Sequence, residues 1–117
     1  MKIAINVDFG GFGLSDKAFE SLLEKKGIQF DKGQNIIGDS NYYNKGYIDN
    51  NDYFISQYDY YTPRNDPDLI AVIEEFGDDA HGWAAVLKIV EIPDDVEWQI
   101  EEYDGREHIA EKHRTWC

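Results

Sequence analysis

The amino-acid sequence predicts one α+β domain over its 117 residues: about two helices packed on a mostly antiparallel sheet, with a C-terminal β-hairpin. Three observations carry that prediction. Two capped segments, from Ser15 and from Asp66, repeat apolar residues at helical spacing. Several short segments alternate or run apolar as strands do. The dipeptide Asp104-Gly105 parts two such runs, the strongest short-range signal of a hairpin.

Taken in order, Ile3, Ile5 and Val7 alternate with Ala4, Asn6 and Asp8, the pattern of a half-buried strand. Asp8 to Ser15 follows, with Gly10, Gly11 and Gly13 inside four residues, a turn built for close approach by backbone or ligand. Ser15 is a good N-cap, Asp16 suits the first helical turn, and Ala18, Phe19, Leu22 and Leu23 form the apolar stripe. Lys25 and Lys26 complement the negative end of that helix, and Gly27 stops it. Ile28 to Phe30 reads as a short second strand.

Residues 31–63 change character and read as a Tyr/Asn/Asp-rich insertion. Seven of the eight tyrosines lie between Tyr42 and Tyr61. Tyr47-Ile48 and Tyr53-Phe54-Ile55 are expected as short strands and the rest as turns. A connection this long is uncommon unless it is functional.

Asp66-Pro67 opens a second helix, cap then proline, with Leu69, Ile70, Ile73 and Phe76 apolar and Gly77 at its end. Trp83 to Ile92 reads as a long central strand stopped by Pro93. Val96, Trp98 and Ile100 alternate with Glu97, Gln99 and Glu101, and Arg106 to Trp116 returns as the partner strand.

Composition narrows the function. The chain is 42% hydrophobic and 15% aromatic, too rich in core formers for disorder. No run is long and apolar enough for a membrane span, and the opening is too soon acidic for a signal peptide, so a cytoplasmic setting is expected. Cys117 is the only cysteine, which excludes an internal disulfide. The net charge is −13, with 6 basic residues against 9 acidic ones before Arg64 and 5 against 15 from there on. Such a field repels phosphate backbones, so direct nucleic-acid binding is not expected. The acidic half could instead imitate nucleic acid.

No motif is diagnostic of catalysis. The glycine turn lacks the G-x-G-x-x-G spacing of a dinucleotide site and the Gly-Lys-Ser/Thr of a Walker loop. Asp8-Phe9-Gly10 matches the kinase metal-binding tripeptide in letters only. A structural turn with its own packing partners is the favoured reading, an anion site at a helix start the alternative. His81, His108 and His113 show no diagnostic ligand spacing, and on one strand His108 and His113 would face opposite sides. Carboxylate pairs such as Asp94/Asp95 and Glu101/Glu102 are too common here to single out an acid pair. No metal or cofactor is indicated.

The tyrosine-rich stretch is the best candidate for recognition, because tyrosine offers rigid contact area and a hydroxyl while Asn and Gly adapt. The competing reading is that these rings cover the sheet and fill a small core. Arg64, Arg106 and Arg114 are the only arginines, and converging with tyrosines and the turn they would form a local phosphate pocket. The expected ligand-binding set is therefore Phe9, Gly10, Gly11, Phe12, Gly13, Tyr42, Tyr43, Tyr58, Tyr60, Arg64, Arg106 and Arg114.

Both ends of the chain resemble a family of small, uncharacterised proteins encoded by tailed bacteriophages and prophages. The start through Phe9-Gly10-Gly11-Phe12-Gly13-Leu14-Ser15 carries the resemblance, as do Arg64-Asn65-Asp66-Pro67-Asp68-Leu69 and Leu87 to Val96. So does the ending, Ile100-Glu101-Glu102-Tyr103-Asp104-Gly105-Arg106-Glu107-His108 with Glu111-Lys112-His113-Arg114-Thr115-Trp116. The resemblance implies a phage origin and an accessory role in the bacterial cytoplasm; it transfers no functional residue. By analogy such a protein modulates a host process, counter-defence included, without catalysis. Its partner is then a host protein or a small nucleotide-like signal, as for Thoeris anti-defence sponges. The alternatives are an acidic DNA mimic of the anti-CRISPR type and a small hydrolase. A homo-oligomer would cover any apolar patch that so aromatic a chain leaves open.

Overall fold

In the computed structural model, residues 1–34 and 40–111 are described. Strand β1 (Lys2–Asn6) leads through the glycine turn into helix α1 (Asp16–Lys25). Strands β2 (Phe30–Gln34), β3 (Ser40–Asn44) and β4 (Phe54–Ile55) follow, then a short helix α2 (Gln57–Tyr60) and helix α3 (Pro67–Phe76). Strand β5 (Leu87–Glu91) and the hairpin β6 (Trp98–Tyr103) and β7 (Arg106–Glu111) complete the domain. The α+β class is as expected, and every strand pairing is antiparallel.

Local chemistry explains the helix ends. The Ser15 hydroxyl accepts from Ala18 N–H, and Asp66 accepts from Asp68 N–H behind Pro67 at the start of α3. At the end of α1, Gly27 takes φ +72°, its N–H donates to Glu24 O, and Ile28 N–H donates to Leu23 O. That double closure needs a left-handed residue at position 27. It also spends Ile28 on the helix end, so β2 starts at Phe30 rather than Ile28.

The sheet differs from expectation in three ways. It is three small sheets among the described residues, ordered β1-β5, β2-β3-β4 and β6-β7. The apolar run from Trp83 yields only Leu87–Glu91, at an edge beside β1 rather than centrally; the chain turns at Ala84, where φ is +58°. Strand β1 is buried on both faces, Ala4 and Asn6 as completely as Ile3. The Arg106–Trp116 strand holds through Glu111, and its remainder lies outside the described residues.

The tyrosine-rich stretch is corrected most. It is no turn-rich insertion, because β2, β3, β4 and α2 all arise from it and Tyr42 and Ile55 enter the main core. Tyr47-Ile48 forms turns instead of a strand, and Tyr53 closes a 3₁₀ turn before β4. That core is built by Ala18, Phe19, Leu22 and Leu23 of α1 against Leu69, Ile70, Val72 and Ile73 of α3. Each large apolar side chain buried there contributes about 1.5–3 kcal/mol. Among the described residues no helix is long and apolar enough to cross a membrane.

Candidate functional site

The glycine turn is packed against its own chain. A Cβ on Gly10 would lie 1.8 Å from Ala84 O, and one on Gly82 would lie 2.6 Å from the Gly13 carbonyl carbon. On the hairpin tip, a Cβ on Gly105 would lie 2.7 Å from both Gly11 N and Phe9 O. Three turns thus meet backbone to backbone, where any side chain would intrude. Their amides are bonded within the molecule: Gly82 N–H donates to Gly13 O at 2.9 Å, and Ser15 N–H to Ala80 O at 2.9 Å. Leu14 N–H donates to Gln57 Oε1 at 3.0 Å, and Gln57 Nε2–H returns to Leu14 O at 3.1 Å. The amides of Leu14 and Ser15 just before α1, and of Ala18 in its first turn, already have partners within the chain.

The two described arginines do not converge. Arg64 carries a two-pronged ion pair to Glu107, at 2.7 Å and 2.9 Å. Its guanidinium also lies over the Phe12 ring, 3.8 Å from the centroid, and donates to Ala4 O at 3.3 Å. Phe12 stacks on Tyr61 at 4.7 Å, and burial pushes the Tyr61 hydroxyl above its ordinary pKa, against the pull of Arg64. Glu107 Oε1 also accepts Asn6 N–H at 2.8 Å. Asn6 bridges three turns, donating to Asp8 O and Gly105 O and accepting Val86 N–H. No buried side-chain polar atom among the described residues lacks a partner, so this cluster is a closed lock. Arg106 neighbours Glu107 on β7 and therefore faces the opposite side, with its guanidinium 5.8 Å from the Phe9 ring. Arg114 lies outside the described residues.

The predicted tyrosines separate into two groups. Tyr42 and Tyr43 on β3 are buried, contrary to a role at a binding surface. Tyr42 packs edge-on to Phe19 and Phe30 and donates to Glu20 Oε2 at 3.0 Å. Burial, then the carboxylates of Asp16 and Glu20, hold its hydroxyl far above the ordinary range. Tyr60 is half-buried against Phe19. Tyr58 is open to solvent, with Phe9. The reason is the strand period: β3 sends consecutive rings to opposite faces, both of which are covered.

A different aromatic surface emerges beyond β3. Tyr47 and Tyr53 stack with centroids 3.7 Å apart, and Ile48 and Phe54 are exposed beside them. Phe54 in turn meets Tyr43 edge-on. Gly46 at φ +90° and Asp49 at φ +62° shape the turns that hold this patch, and Gly46 N–H donates to Asp31 Oδ2 at 2.8 Å. The bracketing Gly46 and Asp49-Asn50-Asn51 were the available signal that Tyr47-Ile48 is a turn. Trp83 is 96% exposed and Tyr103 79%, so the three-turn end also presents rings.

The two described histidines bond within the chain. His81 Nδ1 accepts Leu87 N–H at 3.0 Å, which starts β5, and His108 meets Glu101 at 3.2 Å on the hairpin surface. His113 lies outside the described residues, among which no three His, Cys, Asp or Glu side chains gather to hold a metal. An open cleft of about 860 Å³ lies between Leu14-Ser15-Asp16, Ser40 and His81-Gly82-Trp83. The Ser15 hydroxyl there donates to Asp79 O, and Ser40 donates to Asp16. Comparison with protein-family models, with curated proteins and with solved structures finds no match for this chain.

Proposed function

We propose that this protein acts by gripping a protein partner without transforming it, as a phage-supplied accessory factor that modulates a process in the bacterial cytoplasm, anti-phage defence included. The observation that supports this most is the outward patch of Tyr47, Ile48, Tyr53 and Phe54. Stacked phenol rings give broad contact at low entropic cost, and contiguous exposed apolar surface marks interaction sites. A nucleotide signal is the weaker ligand on this reading, because the Arg64 guanidinium is neutralised by Glu107. The phage origin rests on the resemblance of the two chain ends.

The test is capture of a partner from phage-infected bacteria, followed by reconstitution with that partner purified. The protein carrying Tyr47→Ser and Tyr53→Ser should retain its melting temperature within a few degrees and lose the partner. Equal capture by that variant, or stabilisation of the protein by cyclic nucleotides or ADP-ribose derivatives, would overturn the reading.

A second reading has its own observation. From Glu91 to Gly105 there are seven carboxylates and no lysine or arginine, which offers a basic groove the charge of a phosphate backbone. Competition with duplex DNA for a captured partner, weakening steeply with salt, would favour this mimicry over the aromatic contact.

A further inference from the structure

Apart from the aromatic patch, the hairpin carries a second surface. Strands β6 and β7 form a sheet of their own, and among the described residues β6 pairs with no strand but β7. The register sets Trp98 opposite Glu111, Ile100 opposite Ile109 and Glu102 opposite Glu107. On that face Trp98, Ile100 and Ile109 are half-buried, yet none belongs to the main core or to the side chains packed against it. A two-stranded ribbon is marginal in water, and a third strand or a covering element is what ordinarily stabilises one.

The turn tells which backbone groups are free. Asp104 and Gly105 both have positive φ, +51° and +86°, as a two-residue hairpin turn requires. The flanking pair Tyr103–Arg106 is then the first hydrogen-bonded pair, and the alternation of an antiparallel ladder turns Tyr103, Glu101 and Gln99 toward β7. The N–H and C=O groups of Trp98, Ile100 and Glu102 point outward along the open edge.

We infer that this edge accepts an extended, basic segment of a partner protein as a third strand. Charge selects the occupant. Glu97, Glu101, Glu102 and Asp104 flank the edge with no cation on β6, so a second copy of this chain would bring one acidic strand against another. A strand alternating lysine or arginine with apolar residues reverses that penalty, and its apolar side chains extend the Trp98–Ile100 face. Main-chain bonds supply the affinity and the acidic flanks the choice of partner.

The test titrates the full chain, labelled for amide spectra, with an octapeptide alternating lysine and valine. The amides of Trp98, Ile100 and Glu102 should shift saturably, and their hydrogen exchange should slow at least tenfold. The same peptide methylated on alternate backbone nitrogens keeps its charge but cannot pair, and should bind at least tenfold more weakly, as should a glutamate–valine counterpart. Glu101→Lys with Glu102→Lys should weaken the lysine–valine peptide at least tenfold while the hairpin's own cross-strand signals persist. Tyr47→Ser with Tyr53→Ser should leave the titration unchanged, which separates this edge from the aromatic patch. Equal binding of the methylated peptide, shifts confined to other residues, or no shift at millimolar peptide would overturn the inference.

Discussion

Arg64 and Glu107, 43 residues apart, close on each other through two hydrogen bonds of 2.7 Å and 2.9 Å and fasten the hairpin to the rest of the domain. Both side chains are largely out of water, 15% and 5% exposed. Around them the backbone of β1 contributes Ala4 O to the guanidinium and Asn6 N–H to the carboxylate. The pair is thus the meeting point of the β1 edge, the loop before α3 and strand β7.

Breaking one half of such a pair strands the other charge in a dry site, a cost of about 3–5 kcal/mol. Arg64→Met is therefore expected to lower the urea unfolding midpoint severely. Arg64→Met combined with Glu107→Met should cost clearly less than the two single changes added together. Strict additivity in a denaturation cycle would show that the two groups are not coupled.

Two glycines of one turn, Gly10 and Gly13, should behave oppositely. Gly10→Ala drives a Cβ into Ala84 O, a backbone atom with little freedom to yield, and is expected to cost about 3 kcal/mol or more. Gly13→Ala meets open space within 4 Å and should stay within about 0.5 kcal/mol of the parent. Thermal unfolding of the two variants measures the contrast directly.

Alkaline pH should destabilise the fold. Tyr42 and Tyr61 are raised above their ordinary value of 10.0, chiefly by burial, and Lys26 above 10.5, chiefly by its hydrogen bond to Asp66. All three bind protons more tightly when folded, so their contribution is complete below about pH 10 and is lost as pH rises beyond it. Melting temperatures between pH 8 and pH 11.5 should hold level and then fall. Absorbance at the phenolate band should show these two tyrosines ionising later than the exposed ones.

The junction of α1 and α3 depends on Asp66. It caps α3 and holds Lys26 Nζ at 2.6 Å, while Asp68 adds a contact at 3.3 Å. Asp66→Ala should cost about 1–2 kcal/mol, as the loss of a cap does, and Asp66→Asn less, because the amide oxygen still caps. Chemical denaturation of both variants gives the ordering; equal losses would assign the effect to the ion pair.

Elements written within a few residues are legible in the sequence. Ser15, Asp66-Pro67, Gly27 and Asp104-Gly105 marked α1, α3 and the hairpin because caps, stops and tight turns depend on local backbone angles. The candidate site was legible only in outline. The tyrosine-rich stretch does present exposed rings, Tyr47, Tyr53 and Tyr58, but Tyr42 and Tyr43 are covered by Phe19, Phe30 and Phe54. A residue type says what a ring can do, and burial decides whether it is offered.

By itself, then, the sequence determined the α+β class, the two long helices, the hairpin turn and the acidic field, all of them properties of neighbours along the chain. Tertiary structure alone decided that Gly10 faces Ala84, that Arg64 is neutralised by Glu107 rather than joined to Arg106, and that Tyr47 and Tyr53 stack outward. Those outcomes join residues far apart or turn on which face of a strand is covered. They are set by how the small sheets and helices pack together, which no local pattern encodes.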